Sequence, residues 1–355
     1  MYDQVIKIEN RLVGGFSPAF IVAEIGINHN GDMELAKKTI DAAVEAGVDS
    51  VKFQNYYTED FLSPQSNLSY RYQSEGKDIV ESQYEMFKRC ELTSVNLIML
   101  KEHCAKSGVI FHSTPTSEAG VDLLVGQDVK VLKNGSDFLT NSKLLEYMGK
   151  TNLPVVIATG MANENEIEIA ANAVRNTGND RLIVLHCTSS YPTAPEHVNL
   201  RKIISIKSKL KCLVGFSDHS EGSQAAVGAV ALGACWIEKH FTLDKALPGP
   251  DHRFSSNLEE MKNLVREVRC MEKLLGSEKL IPAESELSGR DEYRLSCAAS
   301  HSLKAGHVLT EEDIVFKRPG SGLPAYELKS ILGRSLSQDV EKFQILLEED
   351  LVDLK

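Results

Sequence analysis

Eight short apolar runs rich in β-branched residues, alternating with stretches of helical periodicity, govern what this chain can fold into. The runs are FIVAEIG (20–26), VDSVKFQ (48–54), VIFHSTP (109–115), VKVLKNGS (129–136), PVVIATG (154–160), LIVLHCTS (182–189), CLVGFSDH (212–219) and ACWIEKHF (234–241). Runs that are continuously apolar, rather than alternating, mark strands covered on both faces. Between them lie MELAKKTIDAAVEAG (33–47), VNLIMLKEHCAKSG (95–108), NEIEIAANAVRNTG (165–178) and SQAAVGAVALGA (223–234), several of which stop at glycine as helices do. Eight strand–helix units within about 250 residues point to a (β/α)8 TIM barrel, with an open doubly wound sheet as the alternative. The polar residues favour the barrel. Glu24, Lys52, Gln54, Thr114, Lys133, Ser136, Ser189, Ser217, His219 and His240 fall at or near the C-terminal ends of different runs. Only a closed barrel gathers those ends into one ring.

An insertion at 55–92 interrupts the rhythm after the second run and is too long for an ordinary loop, so it is expected to form a lid or a wall of the site. The last barrel helix is expected over 258–275. The chain then divides into a barrel at 1–276, a polar linker at 277–294 and a small α+β module at 295–355 that contains the turn-rich RPGSGLP.

A formal charge of −11 argues against nucleic acid as the main partner but leaves room for a local basic pocket that holds a small anion. Seven scattered cysteines without a CxxC pair read as buried small hydrophobes in a reducing compartment. No secretory leader or bilayer-spanning run is apparent, so a cytoplasmic protein free of membranes is expected.

His219, in GFSDHS, and His240, in WIEKHFT, close two neighbouring runs. Imidazoles converging at strand ends suit a divalent metal, and two protein ligands leave positions for water and substrate, as an octahedral Mn²⁺, Mg²⁺ or Co²⁺ site requires. A closed structural zinc set is missing. His252 is a weaker candidate for a third ligand. Lys52 and Lys133 lie inside apolar runs, where burial is costly unless an anion meets them. With the hydroxyls of Thr114, Ser136, Ser189 and Ser217 they are suited to hold a phosphate and a carboxylate together. Glu24 could act as a general acid or base, and Asp251, in GPDH, could reach a polyol. Arg318, in KRPG, reads by itself as an exposed surface arginine.

Taken together, IVAEIGINHNGD, VKFQ, YEMFKRCELT, STPTS, LHCTSSYP, GFSDHS, EKHFTLD, GPDH and KRPGSGL resemble the bacterial sialic acid synthases over nearly the whole chain. The resemblance implies a TIM barrel followed by an antifreeze-like (SAF) domain, in a homodimer with that domain swapped. It implies a transferase that condenses phosphoenolpyruvate with an N-acetylated aldose, either N-acetylmannosamine or a diacetamido-trideoxyhexose, with C–O cleavage and phosphate release. His219 and His240 would ligate Mn²⁺, and Glu24 would take part in catalysis. Lys52, Thr114, Lys133, Ser136, Ser189 and Ser217 would hold phosphoenolpyruvate, and Gln54, Tyr191 and Asp251 would contact the sugar. Arg318 would reach the partner subunit's site.

Two positions depart from the family pattern. Phe138 stands where an acidic residue is usual, leaving Asp137 as its possible substitute, and Ala158 stands where some members carry a phosphate-contacting serine. In the expected mechanism a metal held by His219 and His240 would supply Lewis-acid polarisation, C3 of phosphoenolpyruvate would attack the open-chain aldehyde, and water would add at C2 before phosphate leaves. The rival reading is another metal-dependent phosphoenolpyruvate aldol synthase that acts on a sugar phosphate. A non-catalytic binding module would give the buried lysines no purpose.

Overall fold

A computed structural model describes residues 4–74 and 77–352 of the 355-residue chain. The chain separates into two compact units, Met1–Gly276 and Ser277–Lys355. The first opens with an antiparallel hairpin of β1 (Val5–Ile8) and β2 (Arg11–Gly14). The eight apolar runs follow as β3 (Phe20–Gly26), β4 (Ser50–Asn55) and, beyond an inserted hairpin of β5 (Ser69–Ser74) and β6 (Lys77–Ser82), β7 (Ile110–Pro115), β8 (Leu132–Asn134), β9 (Val155–Ala158), β10 (Leu182–Cys187), β11 (Leu213–Asp218) and β12 (Trp236–His240). They pair in parallel in the order β7-β4-β3-β12-β11-β10-β9-β8. β7 and β8 lie side by side across the remaining seam without a registered ladder, so the barrel is nearly closed.

The helices of this unit are α1 (Met33–Ala46), α2 (Gln83–Arg89), α3 (Ser94–Ser107), α4 (Glu118–Gly126), α5 (Ser142–Lys150), α6 (Glu164–Arg175), α7 (Pro195–Val198), α8 (Lys202–Leu210), α9 (Gln224–Ala231) and α10 (Leu258–Leu275). Their starts are written in the sequence: Thr93 with Asn96, Asn163 with Glu166 and Asn257 with Glu260 form reciprocal capping boxes. Each such cap contributes about 1 kcal/mol. Among the described residues, no helix is long and apolar enough to cross a membrane.

Strand periodicity sorts the side chains. On β3, Ile21, Ala23 and Ile25 pack outward with Ala36 and Ile40 of α1, while Phe20 and Val22 enter the barrel. The lower interior is apolar, built from Phe20, Val22, Ile110, Val131, Val156, Ile183, Leu213 and Trp236. Ile6, Ile8 and Val13 of the β1–β2 hairpin join this cluster, so the hairpin plugs the N-terminal opening. Nothing in the eight-strand pattern announces that plug. Trp236 stacks on Phe20 at 4.5 Å, and Gly215 makes room for it, since a Cβ there would lie 2.6 Å from the Cβ of Trp236.

The insertion is folded rather than a loose loop. It places Tyr56, Phe61, Tyr70 and Phe87 in an edge-on aromatic cluster around buried Met86. Phe61 also meets Phe138, which follows β8, ring centroid to ring centroid at 6.0 Å. The insertion thereby stands against a loop at the C-terminal rim, as a wall of the site would.

The second unit has its own core of Cys297, Leu303, Leu309, Ile331, Leu336, Val340 and Leu346. Around it lie α11 (Leu287–Tyr293), the antiparallel pair β13 (Ser296–Ala299) and β14 (Ile314–Lys317), α12 (Leu328–Ile331), and the pair β15 (Ser335–Leu336) and β16 (Leu351–Val352). The stretch expected as a linker, 277–294, contains α11.

Candidate active site

Above the apolar floor, the inward positions of the strands become polar. Lys52 Nζ on β4 lies 2.8 Å from Glu24 Oε2 on β3 and 3.7 Å from Glu238 Oε1 on β12. Lys133 Nζ on β8 lies 3.6 Å from the same Glu238 oxygen and donates to the Asn134 carbonyl at 3.1 Å. Lys52 also donates to Thr114 Oγ1 at 3.1 Å, Gln54 to Glu24 Oε1 at 3.2 Å, and Ser217 to Glu238 Oε1 at 3.4 Å. All four charged side chains are buried. Two ammonium groups and two carboxylates thus interlock where a barrel interior would otherwise be apolar.

Burial sets the direction of the titrations. It is the main influence on Glu24 and raises its carboxyl despite Lys52. Burial would also raise Glu238, but the ammonium groups of Lys133 and Lys52 overcome it and hold that carboxyl at about 2. Lys133 is lowered by burial, against the pull of Glu238. Lys52, with both carboxylates close, is raised in spite of burial. Beneath Lys52, His112 Nδ1 meets Ser50 Oγ at 2.7 Å, and burial followed by the Lys52 charge presses its ring down to about 3.

At the mouth, the rings of His219 and His240 stand 5.3 Å apart. His219 Nδ1 is 2.8 Å from the Thr188 carbonyl, which fixes that nitrogen as a donor. His240 Nδ1 is buried without a hydrogen-bond partner and lies 3.7 Å from Asp251 Oδ2. Burial, then the charge of His219, keeps His240 well below the ordinary imidazole value and therefore neutral. Tyr191 covers His219 at 4.2 Å and His240 at 5.9 Å, with Phe254 behind it. Burial, then the charge of Glu24, pushes the Asp251 carboxyl up to about 7.

Neutral imidazole with an orphaned nitrogen fits a divalent cation. Among the described residues, no group of three or more His, Cys, Asp and Glu side chains is arranged to hold one. A cation between these rings would therefore take its remaining ligands from water or substrate. His252 cannot help: its Nδ1 is engaged by Thr242 Oγ1 at 2.7 Å and its Nε2 by Asn30 at 3.1 Å.

A third element lies at the end of β9. The Gly160 N–H donates to Ser136 Oγ at 3.0 Å, and a Cβ at Gly160 would fall 2.1 Å from Ser189 Oγ and 2.7 Å from Ser136 Oγ. Only glycine permits two hydroxyls and an N–H to converge so closely, as anion cradles require. Cys187 Sγ links this cradle to the histidine pair, 3.6 Å from Ser136 Oγ and 3.8 Å from His219 Nδ1.

The structure brings Glu24, Lys52, Gln54, Thr114, Lys133 and Ser217 into one charged network, and Ser136 and Ser189 into the cradle. Tyr191, His219, His240 and Asp251 surround the two imidazoles. Arg318 belongs to the second unit, where it is exposed and lies over the Tyr293 ring at 5.4 Å. Ala158 joins the apolar interior below the cradle, and Asp137 is within electrostatic reach of Lys133 and Lys52. Sequence reasoning missed Glu238, His112 and Cys187 as members of the site. The signal was available: Glu238 precedes His240 by two residues and His112 precedes Thr114 by two, so each shares its neighbour's face of the strand.

Comparisons with known proteins identify the family. Residues 39–280 match the NeuB family, and residues 296–352 match the SAF domain. The N,N'-diacetyllegionaminic acid synthase of Legionella pneumophila is 38% identical over 352 residues, covering 96% of this chain and 99% of that protein. A pseudaminic acid synthase of Campylobacter jejuni is 35% identical, covering 95% and 99%. The crystal structure of N-acetylneuraminic acid (sialic acid) synthetase from Leptospira borgpetersenii, in complex with citrate, superposes with a TM-score of 0.73 at 35% identity, covering 81% of this chain and 95% of that one.

Proposed function

Because this chain belongs to the NeuB family and carries a SAF domain behind its barrel, we propose that it is a transferase joining phosphoenolpyruvate to an N-acetylated aldose. The product would be a nonulosonic acid of the sialic type, and phosphate would be released by C–O cleavage. The observation that carries this reading is the buried pairing of Lys52 and Lys133 with Glu24 and Glu238 beside His219 and the neutral imidazole of His240.

A charged, pre-paired interior is matched to an anion that brings both a phosphate and a carboxylate. As phosphoenolpyruvate enters, its oxygens replace Glu24 and Glu238 as partners of the lysines, and the Ser136–Ser189–Gly160 cradle receives phosphate oxygens. Thr114 and Ser217 supply further donors. Fixing C3 of the enol below the mouth removes much of the entropic barrier to its attack on an aldehyde carbon. His219 and His240 would hold Mn²⁺, or alternatively Mg²⁺ or Co²⁺, which supplies Lewis-acid polarisation of a carbonyl. Glu24, released from Lys52 and raised by burial, is placed to exchange the proton that the attacking water loses at C2. Gln54, Tyr191 and Asp251 border the space left for the sugar. In the dimer that this reading includes, a swapped SAF domain would bring Arg318 to the partner's site.

A second phosphate on the acceptor fits less well. Glu24 and Asp251 lie near each other at the site, and two basic residues of the insertion, Lys88 and Arg89, are tied to Glu59 and Glu81. The Phe61–Phe138 contact adds an apolar wall, which suits a deoxy terminus of a diacetamido-trideoxyhexose better than the hydroxyl of N-acetylmannosamine. The deciding experiment incubates the protein with phosphoenolpyruvate and a panel of these aldoses, free and phosphorylated, and follows phosphate release and product mass. Turnover only with a sugar phosphate would favour the rival aldol reading. No turnover with any aldose would overturn both.

A further inference from the structure

Outside the barrel wall, a cleft of about 380 Å³ opens between α6 and α8, a volume in the range of small-molecule sites. His186 of β10 lies at its floor, 1% exposed, on the outward face that also packs against Phe216. Its Nε2 is 2.6 Å from the Val198 carbonyl, so that nitrogen carries the hydrogen. Nδ1 is then a lone-pair acceptor, and it is buried with no hydrogen-bond partner. Burial lowers the ring's proton affinity, and the charge of Lys202 lowers it further, so the neutral tautomer stands.

The walls present opposite charges that do not meet. Lys202 on α8 and Glu168 on α6 both line the cleft, and among the described residues neither has an ion-pair partner. Further along, Lys209 and Glu164 do bridge the two helices. Ser205 adds a hydroxyl from α8, and Thr159, whose hydroxyl is donated to the Leu185 carbonyl, adds an acceptor from the floor. A ligand completing this set needs hydroxyl donors for His186 Nδ1 and Glu168 and an anionic group for Lys202.

We propose that this cleft is a second binding site, distinct from the barrel mouth, for a small polyhydroxylated carboxylic acid. The product of the proposed condensation is of that class, but the chemistry of the cleft stands without it. Two residues beyond His186, just past the end of β10, the Thr188 carbonyl holds His219, so the cleft floor and the mouth meet at one strand end.

The test uses full-length protein labelled with ¹⁵N-histidine, with phosphoenolpyruvate present to fill the barrel. N-acetylneuraminate, gluconate and, as a neutral polyol, sorbitol are each added to ~10 mM, enough to fill a site of millimolar affinity. The sugar acids should move the His186 Nδ1 resonance and sorbitol should not. Ser205→Trp, which fills the cleft from an exposed helix face, should abolish the movement. Lys202→Ala should weaken it about tenfold, the size of one charge-assisted contact. Both variants should keep the wild-type kcat/KM. The proposal is overturned if no sugar acid moves that resonance, if the movement survives Ser205→Trp, or if sorbitol does as well as the acids. Turnover measured on the same preparation reports separately on the proposed function, since an active enzyme with a silent His186 sinks only the second site.

Discussion

Lys52 Nζ stands 2.8 Å from Glu24 Oε2, and both side chains are almost fully withdrawn from solvent. Removing one member of such a pair leaves the other charge uncompensated, which costs about 3–5 kcal/mol. Lys52→Met should therefore lower stability by that order and reduce turnover by at least about a hundredfold. Adding Glu24→Gln to Lys52→Met should recover part of the stability and none of the activity. Urea unfolding of the four proteins of the cycle, with phosphate-release kinetics, measures both. Additive losses, with the double variant losing the sum of the two singles, would contradict direct coupling.

Gly160→Ala tests the cradle. A methyl there intrudes to 2.1 Å from Ser189 Oγ, at a surface where the proposed phosphate would sit. The KM for phosphoenolpyruvate should rise about tenfold or more while the sugar KM changes little. An unchanged KM in steady-state assays would place the phosphate elsewhere.

Removal of divalent metal should stop turnover, and Mn²⁺ should restore it. Titration of the metal-free protein with Mn²⁺, followed by electron paramagnetic resonance, should reveal one tight site in the wild type and none in His219→Ala or His240→Ala. Tight Mn²⁺ binding that persists in either variant would remove the two rings from that role.

Phe138, expected from the sequence to stand where the family carries an acidic residue, leans on Phe61 of the insertion. Phe138→Glu should shift acceptor preference from a diacetamido-trideoxyhexose toward N-acetylmannosamine by about tenfold, the scale of one apolar contact in a pocket. Competition between the two sugars, scored by product mass, reads the ratio directly.

His112 gives the protein an acid liability. Its folded-state proton affinity is depressed to about 3 from the ordinary 6.5, so the unfolded chain takes up a proton that the barrel refuses. The penalty is absent above pH 6.5, grows as pH falls and levels off below about 3. Between pH 6.5 and 5 it amounts to about 2 kcal/mol. His112→Asn should flatten the pH dependence of unfolding across that interval. Parallel slopes for the two proteins would show that another group dominates.

The barrel was legible because strands covered on both faces need unbroken apolar runs, and all eight runs became strands within a residue or three of their expected bounds. Period-two reasoning would have carried the reading further, to Glu238 and His112, had it been applied downward from His240 and Thr114. The β1–β2 plug was less accessible. Its strands are four residues long, half exposed and mixed with charge, so they have no signature apart from the barrel they close. The insertion's fold was hidden for a related reason: its aromatic residues are spaced to suit one another and the Phe138 loop, not a repeating period. Cys187 was set aside with six other scattered thiols because composition cannot tell an inward cysteine at a strand end from one in a helix.

Among the described residues, Ile6, Ile8 and Val13 cork the lower opening of the barrel and leave the mouth as the way in. Whatever settles against Lys52 and Lys133 would pass Tyr191 and the imidazole pair on its way in. Under the proposed function the deeper guest would then arrive before the one that stops at the rim, an order set by the masonry of the wall rather than by any moving part.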